Sequence, residues 1–169
     1  MPILKPETGV RNEWLLAANF NSIVFDFTAR QKIQGQTLNL FIVEQLPVIA
    51  PDDYDKRFGE ATAYDIIRDH VLRLTYTSGD MAPFARDIGY DGPPFIWDEE
   101  ERGHLRARLD ALYFHLYGLT REDASYLLDT FPIVRREDEV RFGSYRTKAL
   151  VLAYMNALAA GDTETVVVL

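Results

Sequence analysis

DEEERGHLRARLDALYFHLYG, Asp98 to Gly118, carries the clearest periodicity in the chain. Leu105, Leu109, Leu112, Tyr113 and Leu116 recur at the spacing of one helical face, the pattern of an amphipathic helix packed on a core. Asp98 is an acidic N-cap, and Glu101 three positions on gives the start of a capping box. Gly118 supplies the stop.

Working outward, the same period repeats. Thr120 and Asp123 open a further helix in which Ala124, Leu127 and Leu128 are apolar, and Pro132 limits its run. Tyr145 to Ala159 reads as a helix with Leu150, Val151, Tyr154 and Leu158 inward and Gly161 beyond its end. Ala61 to Tyr76 reads as another, with Ala63, Ile66, Ile67, Val71 and Leu74 inward. Toward the N-terminus, Trp14 to Arg30 (WLLAANFNSIVFDFTAR) is apolar on both the helical and the strand period. Seventeen residues without a turn signal favour one helix over a strand. Thr37 starts a short helix through Glu44, Leu46 to Ile49 is a short extended segment, and Val166 to Leu169 is a terminal strand candidate. The expected fold is mainly α, an α+β chain with little strand.

Two stretches of punctuation, Pro47–Asp55 and Asp87–Pro94, divide the chain. They predict a small N-terminal α/β recognition-like unit over residues 1–52 and a helical C-terminal domain over 53–169. At 169 residues, 47% of them hydrophobic, the chain buries enough surface to fold without staples. With no cysteine there is no disulfide framework, thiol chemistry or Cys-ligated metal. The first residues lack the pattern of a signal peptide, and no window reaches the roughly 18 apolar residues of a membrane span. The expectation is a cytoplasmic protein with no membrane association.

Catalytic patterns are missing. There is no GxGxxG and no GxxxxGK[ST], and no supported Ser–His–Asp arrangement. The three histidines, His70, His104 and His115, are spread out. Even His104 and His115, which share a helix, lie ~16 Å apart along its axis, too far to share a metal. They read as surface or core-edge residues. The acidic runs Asp98–Glu101 and Glu137–Glu139 read as solvated faces and helix N-terminal charge. No metal site and no active centre is expected.

The net charge of −8 argues against a protein that coats nucleic acid. Its distribution is uneven. Residues 52–101 hold 13 acidic and 5 basic residues and account for the whole excess. Residues 1–51 balance four against four, and 102–169 nine against nine. The acidic middle is expected to face water or a basic partner, leaving the two ends open to DNA.

The first of those ends contains NSIVFDFTARQKIQGQTLNLFIVEQLPVIAP, Asn21 to Pro51. Arg30 and Lys32 close a helix where cations can meet phosphates. Gln31, Gln34, Gln36 and Asn39 offer the paired donor and acceptor of an amide, which matches an adenine edge. Gly35 lets the backbone come close to a ligand. In the second end, Arg135 and Arg136 follow Pro132 at an expected chain reversal, and Arg146 and Lys148 lie at a helix start. The competing reading pairs the two arginines with Glu137, Asp138 and Glu139 beside them.

The pattern NSxxFDFxARQKxxGxxLNxFIxxQLPV, from Asn21 to Val48, resembles a segment in the C-terminal half of large single-chain restriction–modification enzymes that methylate adenine. These are related to type IIG enzymes and to methyltransferases of phage-defence systems. Arg106–Tyr113, His115–Arg121, Leu127–Val134 and Phe142–Lys148 resemble the extreme C-terminal region of the same proteins. The likeness spans most of residues 14–160. It implies the end of a target-recognition region and the helical tail behind it, with double-stranded DNA and the methyltransferase and nuclease portions of the system as partners. Neither a cofactor loop for S-adenosylmethionine nor the Asn-Pro-Pro-[Tyr/Phe] catalytic motif is present, and Gly92-Pro-Pro-Phe95 is only an echo of it. A nuclease Asp…Glu-x-Lys is also missing. The resemblance therefore implies no catalytic centre here. S-adenosylmethionine and Mg²⁺ are expected only in a full-length parent, and DNA binding by the chain alone is expected to be weak. The alternative expectation is a scaffold module packing on a methyltransferase body, favoured by Tyr64, Tyr76, Tyr90, Phe95, Trp97 and Tyr117 should they lie exposed.

Overall fold

A computed structural model describes residues 13–33 and 39–169. Among these residues the elements run α1 (Glu13–Phe20), α2 (Ile23–Lys32), α3 (Leu40–Val43), β1 (Arg57–Phe58), β2 (Ala61–Thr62), α4 (Ala63–Thr75), α5 (Ala82–Asp87), α6 (Glu99–Leu116), α7 (Arg121–Asp129), α8 (Pro132–Phe142) and α9 (Arg146–Ala159). The fold is mainly α, with β1 and β2 as one antiparallel pair.

Helix α6 sits at the centre. Ala107, Ala111, Leu112, Tyr113 and Phe114 are all buried, so side chains from several sides of the helix are enclosed. α9 packs along it through Leu150, Val151, Tyr154, Met155 and Leu158, and α4 adds Ile66, Ile67 and Leu72. Trp14 and Leu15 of α1 and Val24 of α2 join this same core. Phe25, Ala29 and Leu46 form a small second cluster with Phe20 and Ile33 against it.

Local chemistry explains the helix starts. The Asp98 side chain accepts the amide of Glu101 at 2.8 Å. Thr62 and Asp65, and likewise Thr120 and Asp123, form reciprocal capping boxes at the starts of α4 and α7. Each occupies orphan amides of a first turn.

The structure departs from the sequence reading in four places. The apolar stretch 14–30 is helical, but it is two helices broken at Asn21–Ser22. The Ser22 hydroxyl accepts the amide of Phe25 at 3.2 Å and so starts α2 as a cap. Residues 132–142 form α8 and not a chain reversal, because Pro132 stands at the first helical position, where its missing N–H costs nothing. No strand occurs among the described residues up to 52. Among the described residues the one strand pair is the hairpin at 57–62, where Ala61 and Thr62 precede α4. Val166 to Leu169 is not a strand; its Val167 amide donates to the Tyr154 hydroxyl at 3.3 Å. Thr37, the expected start of α3, lies outside the described residues, and Asn39 caps that helix through the Ile42 amide at 3.0 Å.

Gly59, in the turn between β1 and β2, has a φ of 59°, and a Cβ there would collide with the carbonyl oxygen of Gly161. Gly161, just beyond α9, also has a positive φ, of 78°. The two glycines let the hairpin and the end of α9 touch through their backbones.

Candidate nucleic-acid interface

The two blocks that carry the resemblance meet in space. The Arg30 guanidinium at the end of α2 lies 5.0 Å from the ring centroid of Phe131, between α7 and α8. One turn into α8, the Arg135 amide donates to the Phe131 carbonyl at 3.1 Å. The buried Phe131 thus meets the Arg30 side chain with its ring and the Arg135 backbone amide with its carbonyl. Gln31 and Lys32 are exposed beyond Arg30, and Arg136 is exposed beside Arg135. A second tie is polar. Tyr117 accepts from the Asn19 side chain at 2.8 Å and donates to the Pro47 carbonyl at 3.0 Å. The Asn19 side-chain oxygen Oδ1 accepts the Ile49 amide at 3.0 Å.

Most of the candidate cations have carboxylate partners. Arg30 makes a two-pronged pair with Asp26, at 2.9 and 2.7 Å. Arg135 donates to Glu139 at 2.8 Å, the neighbouring-pair alternative raised by the sequence. Lys148 donates to Asp129 at 2.7 Å, and Arg146 holds Glu100. Exposure separates them into two sets. The side chains of Arg30 and Arg135 are 58% and 55% exposed, whereas those of Arg146 and Lys148 are 17% and 21% exposed. The first pair is open to a ligand. The second pins the start of α9 to α6 and to the end of α7. Lys32 and Arg136 have no salt bridge among the described residues. Gln34, Gly35 and Gln36 lie outside the described residues, and Asn39 spends its side-chain oxygen on the α3 cap.

Two carboxylates do unexpected work. Asp110 on α6 accepts the Ile23 amide at 2.8 Å and so caps the start of α2 from another helix. Burial pushes its carboxyl up to about 7, against the lowering pull of that amide and of Arg106. It borders a largely apolar cavity of about 460 Å³ between α1, α4, α5 and α6. Asp138 on α8 is buried and accepts the Thr147 amide at 2.5 Å, capping α9 in the same way.

The expected exposed aromatics are mostly packed. Tyr76 is buried, Trp14 meets Tyr64 edge-on at 5.2 Å, and Tyr90 stacks on Phe95 at 5.2 Å. Trp97 alone of the six is exposed.

The sequence reading missed a cavity of about 900 Å³ between α4, the start of α6, Tyr154 of α9 and the C-terminal tail. His70 and His104, read as core-edge residues, both line it. His104 Nδ1 bonds the Tyr154 hydroxyl at 2.7 Å. The acidic run at 98–101 contributes to its wall. Periodicity held one signal: His70 falls three to four residues after Ile66 and Ile67, on a buried face. Among the described residues, no group of three or more His, Asp or Glu is arranged to hold a metal ion, and no helix is long and apolar enough to cross a membrane.

No protein-family model matches the chain, and no curated protein and no solved structure is significantly similar to it.

Proposed function

We propose that the chain is the C-terminal target-recognition or accessory segment of a restriction–modification-type DNA methyltransferase, without a catalytic centre of its own. What supports this reading is the convergence at Phe131. The two sequence blocks that resemble such enzymes pack together there: Arg30 of the first lies over the Phe131 ring of the second, Arg135 follows one helical turn on, and Lys32 and Arg136 are exposed near them in sequence. Cations at helix ends contact phosphates and fix a protein on the duplex, while amides such as Gln31 can read adenine edges. The Asp26 and Glu139 partners are exposed, so exchanging them for phosphate costs little. Arg146 and Lys148 serve the helical tail and not the DNA in this reading.

The test is fluorescence anisotropy of a labelled duplex with the full chain. At about 50 mM salt the expected Kd is on the order of 10⁻⁵ to 10⁻⁴ M, with affinity falling steeply by about 200 mM. Arg30→Ala with Lys32→Ala, and Arg135→Ala with Arg136→Ala, should each weaken binding and reduce the salt dependence. No binding in that range, or binding untouched by both double substitutions, defeats the reading.

A second reading, a scaffold packing on the body of such an enzyme, has one observation in its favour. Helix α8 leaves Ile133 and Val140, one helical face apart by seven residues, exposed to solvent. Mass by light scattering with and without a methyltransferase body would separate it from DNA recognition.

A further inference from the structure

We infer that the 900 Å³ cavity is a binding site for an arginine side chain presented by a basic partner protein. The reasoning is one of donors and acceptors. Asp65, Asp69, Asp98, Glu100, Glu101 and Glu164 all line the cavity, against Arg73 and Arg108 as the lining cations. Arg73 is taken up by Glu101 and, at 3.8 Å, by Asp69. Arg108 donates to the Thr163 and Thr165 carbonyls at 2.8 and 2.7 Å. Glu100 is held by Arg146 from behind. Asp65, Asp98 and Glu164 have no salt-bridge partner among the described residues. The wall therefore keeps an excess of acceptors and negative charge.

His70 is the independent observation. It is 4% exposed and lines the cavity, yet neither ring nitrogen has a hydrogen-bond partner among the described residues. A buried polar group in that condition is costly and calls for a partner. Asp69 Oδ2 lies 3.4 Å from Nδ1, out of line for a hydrogen bond. Nε2 has no partner of any kind among the described residues. A guanidinium matches this lining, since it has five N–H donors and no acceptor. Tyr154 and His104, bonded to each other at 2.7 Å with their rings edge to face, complete the wall, and Arg108 already lies over the Tyr154 ring at 4.7 Å.

The rim identifies a protein as the source. Ile96, on the cavity edge, is 89% exposed, and Trp97 next to it is 57% exposed. An apolar shoulder beside an acidic pocket suits a peptide segment whose backbone and neighbours cover Ile96 while its arginine enters. The acidic excess of residues 52–101 steers such a basic segment toward this face. None of the lining residues is a candidate DNA contact, so the inference does not depend on the DNA reading.

The probe is a capped glycine–serine hexapeptide carrying two arginines, titrated into the full chain and followed by the ring signals of His70 in NMR spectra. Saturable binding with a Kd below about 1 mM is expected, with the His70 signals shifting along the same isotherm. Peptides with norleucine or glutamate in place of arginine should bind at least about tenfold more weakly. Asp69→Asn and Glu164→Gln, both at exposed side chains, should each weaken the arginine peptide, whereas Glu122→Gln on α7 removes the same charge and should not. Equal binding of the norleucine peptide, equal loss with Glu122→Gln, unmoved His70 signals at saturation, or no saturation by about 5 mM each overturns the inference.

Discussion

The Asn19 side chain donates to the Tyr117 hydroxyl at 2.8 Å across 98 residues of chain. Asn19 is fully buried, and its other side-chain atom accepts the Ile49 amide at 3.0 Å. One residue of α1 thus fixes both the turn after α6 and the extended segment after α3.

Replacing it should therefore be costly. Asn19→Ala leaves the Ile49 amide and the Tyr117 hydroxyl without this partner and is expected to lower stability by about 2–3 kcal/mol. Tyr117→Phe, which removes only the hydroxyl, should cost about 1 kcal/mol. Urea denaturation reads both. Equal midpoints for wild type and Asn19→Ala would show that the buried amide contributes nothing.

Asp110 inverts the usual pH behaviour of an aspartate. In the folded chain it keeps its proton up to about 7, whereas an unfolded aspartate releases it near ~3.9. Between those values the folded state binds more protons than the unfolded one, so stability falls as pH rises through the window. Asp110→Asn retains an acceptor for the Ile23 amide and cannot ionise. It should flatten the loss between pH ~4 and ~7 and stabilise the protein at pH ~7. A stability profile unchanged by this substitution would falsify the assignment.

The capping boxes give the opposite sign. The side-chain and backbone bonds from Thr62 hold the Asp65 carboxyl below its ordinary range. Its contribution is present above the unfolded value and fades as the pH drops through the lowered folded value. Thr62→Ala breaks the box and should cost about 1 kcal/mol, with the acid end of the profile losing part of its slope. Thermal melts at neutral pH and in acid check both halves, and an unshifted Tm would rule out the cap as a source of stability.

Gly59 and Gly143 provide a matched contrast. Both have positive φ, 59° and 75°, so an alanine at either pays about 1 kcal/mol of backbone strain. Only at Gly59 does a Cβ also meet backbone, the Gly161 carbonyl; around Gly143 there is open space. Gly59→Ala is expected to lose clearly more stability than Gly143→Ala. Similar losses would mean that the hairpin and the end of α9 yield to each other readily.

What the sequence made legible was chiefly local. Asp98, Thr120 and Asp123 mark α6 and α7 because capping requires particular side chains at fixed offsets, and the apolar stripe of α9 is visible in Leu150, Val151, Tyr154 and Leu158. The break at Ser22 was hidden because the apolar residues continue on both sides of it, and its cap works from inside the run. Helix α8 was hidden because Pro132 was read as a stop when it also serves as a start. The cavity was not legible because its wall is assembled from α4, α6, α9 and the tail, tens of residues apart. The same holds for Arg146 and Lys148, whose partners Glu100 and Asp129 come from other helices.

Asp110 and Asp138 have a consequence for dissection of the chain. The first turns of α2 and α9 are finished by carboxylates borrowed from α6 and α8. A fragment that stops at residue 52 strands the Ile23 amide, and a peptide that begins at α9 strands that of Thr147. Neither helix carries its own complete set of instructions. The starts of both helices are complete only in the presence of their neighbours, and a denaturation curve for the whole chain should show one cooperative step where its excised pieces show none.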